Sequence, residues 1–325
     1  MIVTPLLDVQ DLRVVFGRGR RGFRGPAQQL VAVDGVDLTI GRGETFGLVG
    51  ESGCGKSTLG RAVLQLVPPT QGRVMFDGVE ITGLDEHAMR PHRRRMQMVF
   101  QDPFSSLNPR MTAGDTVAEP ILVHGLERAQ DVPDAVHGLF RLVGLDPDGV
   151  HRYPHEFSGG QRQRIGIARA LAARPDFIVC DEPVSALDVS IQAQIVNLLE
   201  DLRERLNLAY LFIAHDLAVV RHLSDRIGVM YLGQIVELAD KRTLYEVPLH
   251  PYTRMLLAAV PSTDRRLERL RPPAVVLGEV PSPLDPPKGC RFHPRCPQAM
   301  AQCRSEAPTL RPQPGGQWVA CHLYA

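Results

Sequence analysis

No stretch of the chain approaches the roughly 18 consecutive apolar residues that a membrane-crossing helix needs, so the sequence predicts no bilayer span. The first ten residues lack a basic segment and a long apolar one, which argues against a secretory signal and for a cytosolic compartment. Net charge is scarce too: 37 Lys and Arg against 36 Asp and Glu leave +1, so the chain as a whole has no electrostatic drive toward nucleic acid. A local basic run, Arg18, Arg20, Arg21 and Arg24, reads as a solvated loop. There is no sustained heptad pattern, and the six cysteines contain no C-x2-C pair of the zinc-ribbon kind.

What is present reads as an α/β protein. A chain of 325 residues exceeds the size at which one core stops growing, so a large domain with an appendage is expected. Residues 6–16 and 31–40 alternate apolar and polar positions and predict an antiparallel hairpin. Buried strands are predicted at 45–49, 96–100, 177–180, 209–214 and 227–231. Helices are predicted at 58–67, with Leu59, Ala62, Val63 and Leu66 inward, at 161–173, with Ile165, Ala168 and Leu171 inward, and at 188–206. Such alternation implies a mostly parallel sheet covered on both faces, accompanied by an antiparallel β subdomain. Residues 112–157 are polar and helical, an inserted helical subdomain spanning about 102–160. After residue 248 the prolines at 248, 251, 261, 272, 273, 281, 283, 286 and 287 predict an extended linker leading to a small Cys-rich module, so the division falls at 1–248 and 249–325.

The phosphate chemistry lies at Gly50-Glu51-Ser52-Gly53-Cys54-Gly55-Lys56-Ser57, a G-x-x-x-x-G-K-S pattern between a predicted strand and a predicted helix. Its glycines let successive backbone N–H groups turn inward around phosphate oxygens, and the helix N-terminus adds positive potential. Lys56 is placed on the β and γ phosphates, Ser57 on Mg²⁺, and Thr58 on a phosphate oxygen. Asp181 and Glu182 end an apolar strand at its carboxyl end, where open α/β sheets bind ligands. Asp181 fits the Mg²⁺ shell, and Glu182 is the candidate general base for the water attacking the γ-phosphate. Gln101 and His215 each follow a predicted strand and are candidates to converge on the same phosphate.

Between these motifs stands Phe157-Ser158-Gly159-Gly160-Gln161, and together they resemble the ATP-binding subunits of ABC transporters. In that family Gln101 corresponds to the Q-loop, which also ligates Mg²⁺, His215 to the H-loop, and Ser185-Ala186-Leu187-Asp188 to the D-loop. The resemblance implies two ATPs sandwiched between two such subunits. Ser158, Gly159, Gly160 and Gln161, with Asp188, would then serve the ATP held by the partner. Phe16 sits where the family places an adenine-stacking aromatic; a core strand aromatic is the alternative.

More specifically, QMVFQDPFSSLNPRMT at 97–112, VSALDVSIQAQ at 184–194 and His250-Pro251-Tyr252-Thr253 resemble the oligopeptide and dipeptide importer ATPases, a group that also includes nickel transporters. The resemblance implies an ATPase that energises peptide import from the cytoplasmic face of the cell membrane. Its expected partners are a second, paralogous ATPase subunit, two transmembrane permeases and an extracytoplasmic substrate-binding protein. Residues from Gln101 through the helical insert would receive a permease's cytoplasmic helix. Nickel or another small solute is the alternative cargo. A soluble non-transport ABC protein is less favoured, because only one cassette and no coiled-coil insert are present; an iron-sulfur sensor with a vestigial nucleotide fold would have degraded motifs, which this chain lacks.

Cys290, Cys296, Cys303 and Cys321 crowd the last 36 positions, with His293 and His322 nearby. In a reducing compartment such a group favours metal over disulfides: an iron-sulfur cluster, zinc, or simply reduced thiols packed as small apolar groups. Importer ATPases with such a tail carry a [4Fe-4S] cluster, so the resemblance implies that cofactor, with zinc as the alternative.

Overall fold

The computed structural model describes residues 4–17, 29–102, 104, 106–259 and 278–325. The run Arg18, Arg20, Arg21 and Arg24, the loop residue Pro103, and the linker prolines Pro261, Pro272 and Pro273 lie outside the described residues. In chain order the elements are β1 (Leu7–Gly17), β2 (Gln29–Ile40), β3 (Thr45–Val49), α1 (Lys56–Val63), β4 (Gln71–Phe76), β5 (Val79–Glu80), α2 (Glu86–Arg95), β6 (Met96–Val99), α3 (Ala113–His124) and α4 (Val132–Leu142). Then follow α5 (Gly159–Ala172), β7 (Phe177–Asp181), α6 (Val189–Leu206), β8 (Ala209–Ala214), α7 (Leu217–Leu223), β9 (Arg226–Tyr231), β10 (Gln234–Asp240), α8 (Lys241–Glu246), α9 (Pro251–Ala259), β11 (Arg311–Pro312) and β12 (Trp318–Val319).

These elements form two compact units. The first comprises the described residues within 1–6, 40–45 and 83–213. Its strands β6, β7 and β8 run parallel, with Val99 opposite Cys180 and Asp181 opposite Ile213. Every residue of β7 and β8 is buried, as expected for parallel strands that read as unbroken apolar runs rather than alternating ones. The helical insert is present as α3 and α4 with two short 3-10 turns, Pro147–His151 and Pro154–Glu156. A capping box between Thr112 and Asp115 starts α3, and Gly125 at φ 60° ends it. Helix α2 was not legible in the sequence, because EHAMRPHRRR buries only Met89 and so offers no apolar periodicity.

The second unit holds the described residues within 7–39, 46–82 and 214–325. One sheet has the order β2-β1-β4-β5, so the two expected strands are neighbours; β4 pairs antiparallel with β1, and β5 antiparallel with β4. In the other sheet β3 runs parallel to β9, and β10 and β12 add antiparallel strands in turn. Helix α1 stops earlier than expected: Gln65 takes a left-handed φ of 53°, and Leu66, read as inward, is 48% exposed. Leu59, Ala62 and Val63 are buried as read.

The C-terminal region differs most from expectation. Helix α9 occupies the start of what the prolines suggested was an extended linker. Pro251 opens it, where a missing N–H costs nothing. The tail is also not set apart, since Leu238 of β10 pairs with Trp318 of β12 and the Ala320 N–H donates to the Val236 carbonyl at 2.9 Å. Backbone pairing thus builds residues 311–320 into the same unit as the phosphate loop.

Candidate functional site

The glycine loop leaves β3, whose five residues are all buried, and enters α1 at Gly55. Two glycines are required by crowding. A Cβ on Gly50 would lie 2.2 Å from the Met230 carbonyl oxygen, and one on Gly55, at φ 108°, would lie 2.1 Å from that of Ala32. Lys56 is 4% exposed, and its Nζ donates to the carbonyls of Gly50 at 2.7 Å and Glu51 at 3.0 Å. The ammonium is thus drawn over the concave side of the loop. Cys54 is buried beside it, and desolvation raises its thiol pKa, so it packs as a small neutral group. Ser57 and Thr58 are half-buried in the first turn of α1. Ser52 and Gly53 are exposed at the loop's tip.

The loop is held by residues far away in sequence. The Cys54 carbonyl accepts from Gly233 N–H at 2.8 Å. The Glu51 N–H donates to the Tyr252 hydroxyl at 2.9 Å, and the Glu51 carboxylate takes both arms of the Arg295 guanidinium, at 2.6 and 2.8 Å. Sequence reasoning missed Glu51 and Arg295, and quoted Tyr252 only as part of a resemblance. The one available signal was the His250-Pro251-Tyr252-Thr253 string, which the structure explains. Glu237 on β10, 0% exposed, accepts the N–H groups of Leu249 at 2.7 Å and His250 at 2.8 Å, while His250 Nδ1 accepts from Tyr252 N–H at 3.0 Å. These bonds satisfy the orphan donors at the start of α9 and aim Tyr252 at the loop.

That arrangement makes a pH prediction. Burial, and secondarily Arg254, lower the His250 pKa from 6.5 to about 3, which keeps the imidazole neutral and able to accept. On acidification the unfolded chain binds a proton near pH 6.5 that the folded chain refuses, so this contribution is whole above pH 6.5 and lost progressively as pH falls toward 3. His250→Asn keeps a side-chain acceptor without the titration. Urea unfolding at pH 7.5 and 5.5 should show the wild type losing about 1.4 kcal/mol more than this variant; equal losses would remove His250 from the account.

In the other unit, Asp181 ends β7 at 1% exposure and Glu182 follows it. Glu182 has a left-handed φ of 45°, a costly conformation for a side chain with a Cβ. Its N–H donates to the Ile213 carbonyl at 3.0 Å, and its own carbonyl accepts from Ser185 N–H at 3.2 Å, which fixes that turn. Gln101 Nε2 donates to Glu182 Oε2 at 2.9 Å, which brings together two residues 81 positions apart.

The Ser158 segment is a capping box. Ser158 Oγ accepts from Gln161 N–H at 3.3 Å and Gln161 Oε1 accepts from Ser158 N–H at 2.9 Å. No acidic residue occupies the first turn of α5, leaving its positive end without a carboxylate of its own, and Ser158 and Gln161 are exposed. Gly160 is required because a Cβ there would lie 2.6 Å from Ile191 Cγ2 of α6, while Gly159 has ordinary room. Phe157 is buried at 6%, a packing role. Exposed Asp188 precedes α6 as its N-cap residue without a side-chain capping bond.

His215 follows β8 and is exposed. Phe16 is 40% exposed at the end of β1, so it is not the core aromatic that was its alternative reading.

The metal expectation for the tail is overturned. Among the described residues no group of three or more His, Cys, Asp or Glu side chains is placed to hold a metal ion, so neither the iron-sulfur cluster nor zinc is retained. All four cysteines are free. Burial pushes the Cys290 thiol up to about 11 and also raises Cys296 and Cys321, so these groups are protonated thiols at neutral pH. Cys303 is 7% exposed, and its Sγ accepts from Met300 N–H at 3.4 Å. The backbone links the set directly, Cys290 N–H donating to the Cys303 carbonyl at 2.9 Å.

Comparison with known proteins agrees with the motifs. Residues 33–185 match the family described as ABC transporter, and residues 236–303 match the oligopeptide/dipeptide transporter C-terminal region. Similar relatives include the putative oligopeptide transport ATP-binding protein YkfD of Bacillus subtilis, 52% identical over 98% of this chain and 96% of its own. AppF, an oligopeptide transport ATP-binding protein of the same organism, is 51% identical over 98% of both chains. Among solved structures, the ATP-binding cassette MJ0796, described as dimeric, post-hydrolysis and bound to ADP and Pi, superposes with a TM-score of 0.65 at 28% identity, covering 73% of this chain and 99% of that one. Among the described residues no helix is long and apolar enough to cross a membrane. The chain therefore belongs to the ABC transporter ATP-binding proteins, in their oligopeptide/dipeptide branch.

Proposed function

We propose that the chain energises import of oligopeptides or dipeptides by binding and hydrolysing ATP as one of two ATPase subunits attached to membrane permeases. The observation that carries this reading is the Gln101–Glu182 hydrogen bond at the end of β7, in a chain that also carries a complete phosphate loop. A base held by a glutamine on a strained turn is what hydrolysis of a bound γ-phosphate asks for.

In this reading Gly50, Ser52, Gly53, Cys54, Gly55, Lys56, Ser57 and Thr58 bind the phosphates, and Phe16 stacks on the adenine. Ser57, Asp181 and Gln101 offer the hard oxygen donors that suit Mg²⁺, whose chemistry is to neutralise charge on the phosphates. Glu182 takes the proton of the water whose oxygen attacks the γ-phosphorus, ADP leaves, and His215 steadies the phosphoryl oxygens. Ser158, Gly159, Gly160, Gln161 and Asp188 serve the nucleotide bound to the partner ATPase, a paralogue of this chain. The exposed, uncompensated start of α5 supports that role. ATP then bridges the two ATPase subunits, and hydrolysis removes a group that both hold.

The complex has two permeases, is fed by an extracytoplasmic binding protein, and keeps this subunit peripheral on the cytoplasmic face. Reconstitution of this chain with its second ATPase, both permeases and binding protein in liposomes should give ATP-dependent uptake of labelled oligopeptides. Uptake of nickel instead of peptide would overturn the assigned cargo.

A further inference from the structure

The bonds at Glu51 go beyond what the phosphate loop itself requires. Two residues from distant parts of the chain act on this one residue: Tyr252 on its backbone N–H and Arg295 on its carboxylate. The Arg295 side chain is only 2% exposed, and that of Glu51 26%. A largely buried charge pair is by itself weak evidence of added stability. Its geometry argues instead for position: a planar fork against a carboxylate fixes angle as well as distance.

The groups that present the two residues are themselves fixed. Glu237 and His250 set the start of α9 and hence Tyr252. Arg291 is bound to Asp34 and to the Leu232 carbonyl, and anchors the turn that carries Arg295. Phe292, 2% exposed, fills the space between, with its ring 5.3 Å from that of Tyr231 and 5.4 Å from that of Tyr252.

We propose that Arg295 and Tyr252 are positioning residues for the phosphate loop, through which the region beyond residue 250 sets the affinity for ATP. Neither residue need touch the nucleotide. By holding Glu51 they keep the loop in one shape before phosphate arrives, and so reduce the ordering cost that binding must meet. The inference rests on ATP binding at this loop.

The test is equilibrium binding of MgATP to the full chain, with KM and kcat measured on the assembled transporter. Arg295→Ala and Glu51→Ala should each weaken MgATP about tenfold, and the double variant no more than either, because they break one clamp. Tyr252→Phe should weaken it about threefold. KM should rise while kcat changes less than about twofold, a split that general loss of folded protein does not produce. Arg295→Lys should recover only part of the affinity, since it keeps the charge but not the fork.

If Glu51→Ala binds as tightly as wild type or tighter, the carboxylate acts only as a nearby negative charge and the clamp is overturned. Should Arg295→Ala fail to fold, the double variant and Tyr252→Phe decide the matter by the same criteria. A wild-type chain that binds no MgATP overturns the ATP reading and the clamp together, whereas wild-type affinity in all the variants overturns the clamp alone.

Discussion

Glu182→Gln should bind ATP about as tightly as the wild type and hydrolyse it about 10² to 10⁴ times more slowly. The amide has nearly the carboxylate's shape, so what is lost is the ability to take the water's proton. The surroundings favour so clean a separation. The side chain is aimed by a backbone turn at φ 45°, held by the Ile213 carbonyl, and neither feature depends on the carboxylate's charge. Gln101 Nε2 can donate to the amide oxygen of the variant as it does to Glu182 Oε2. The lost rate corresponds to about 3 to 5 kcal/mol of transition-state stabilisation. Phosphate release in the assembled transporter, set beside an equilibrium titration of nucleotide, measures both quantities. Unchanged hydrolysis would remove Glu182 as the base.

Lys56→Ala should act at the earlier step, weakening MgATP binding about 100-fold, or about 2.7 kcal/mol. The ammonium is the one cationic side chain within the loop sequence, and a triphosphate is densely anionic. Its loss also takes the donor from the Gly50 and Glu51 carbonyls, now bonded at 2.7 and 3.0 Å, and so removes a support of the loop's curvature. Lys56→Arg should not restore affinity. The site is 4% exposed and packed against Cys54 Sγ at 3.9 Å, leaving a wider planar group no room without moving the loop. The two variants should therefore separate cleanly, Glu182→Gln losing turnover and Lys56→Ala losing binding. Retention of full affinity by Lys56→Ala would contradict the phosphate contact.

The legible parts of this protein were those whose chemistry is local. β3 and β8 have the bounds that their apolar runs indicated, because a buried parallel strand needs nothing beyond its own side chains to announce it. The helix read from 161 begins two residues earlier, at Gly159, because a local cap sets its start. Ser158 and Gln161 stand three positions apart, and the bonds of a capping box run over that interval. Where local pattern was weak, reading failed. Helix α2 shows one buried residue in ten. Helix α1 ends at a left-handed Gln65 that no propensity marks.

The tail misled for a different reason. Four cysteines in a short span suggested a metal, but whether thiols converge on one point is decided by the turns between them, and among the described residues they do not form such a group. Prolines suggested an extended linker, yet Pro251 stands at the one place in a helix where its missing N–H is harmless.

By itself, the sequence determined that this chain has a phosphate loop, an acidic strand end and the segment Phe157–Gln161 in the order of an ABC ATPase, since each is a short-range pattern with its own chemistry. Only the tertiary structure decided that Glu182 meets Gln101, that residues 311–320 belong to the sheet beside the loop, and that Tyr252 and Arg295 converge on Glu51. Those last contacts span 201 and 244 residues. No spacing rule reaches so far, because the path of the chain between two such residues, and not their own identity, brings them together.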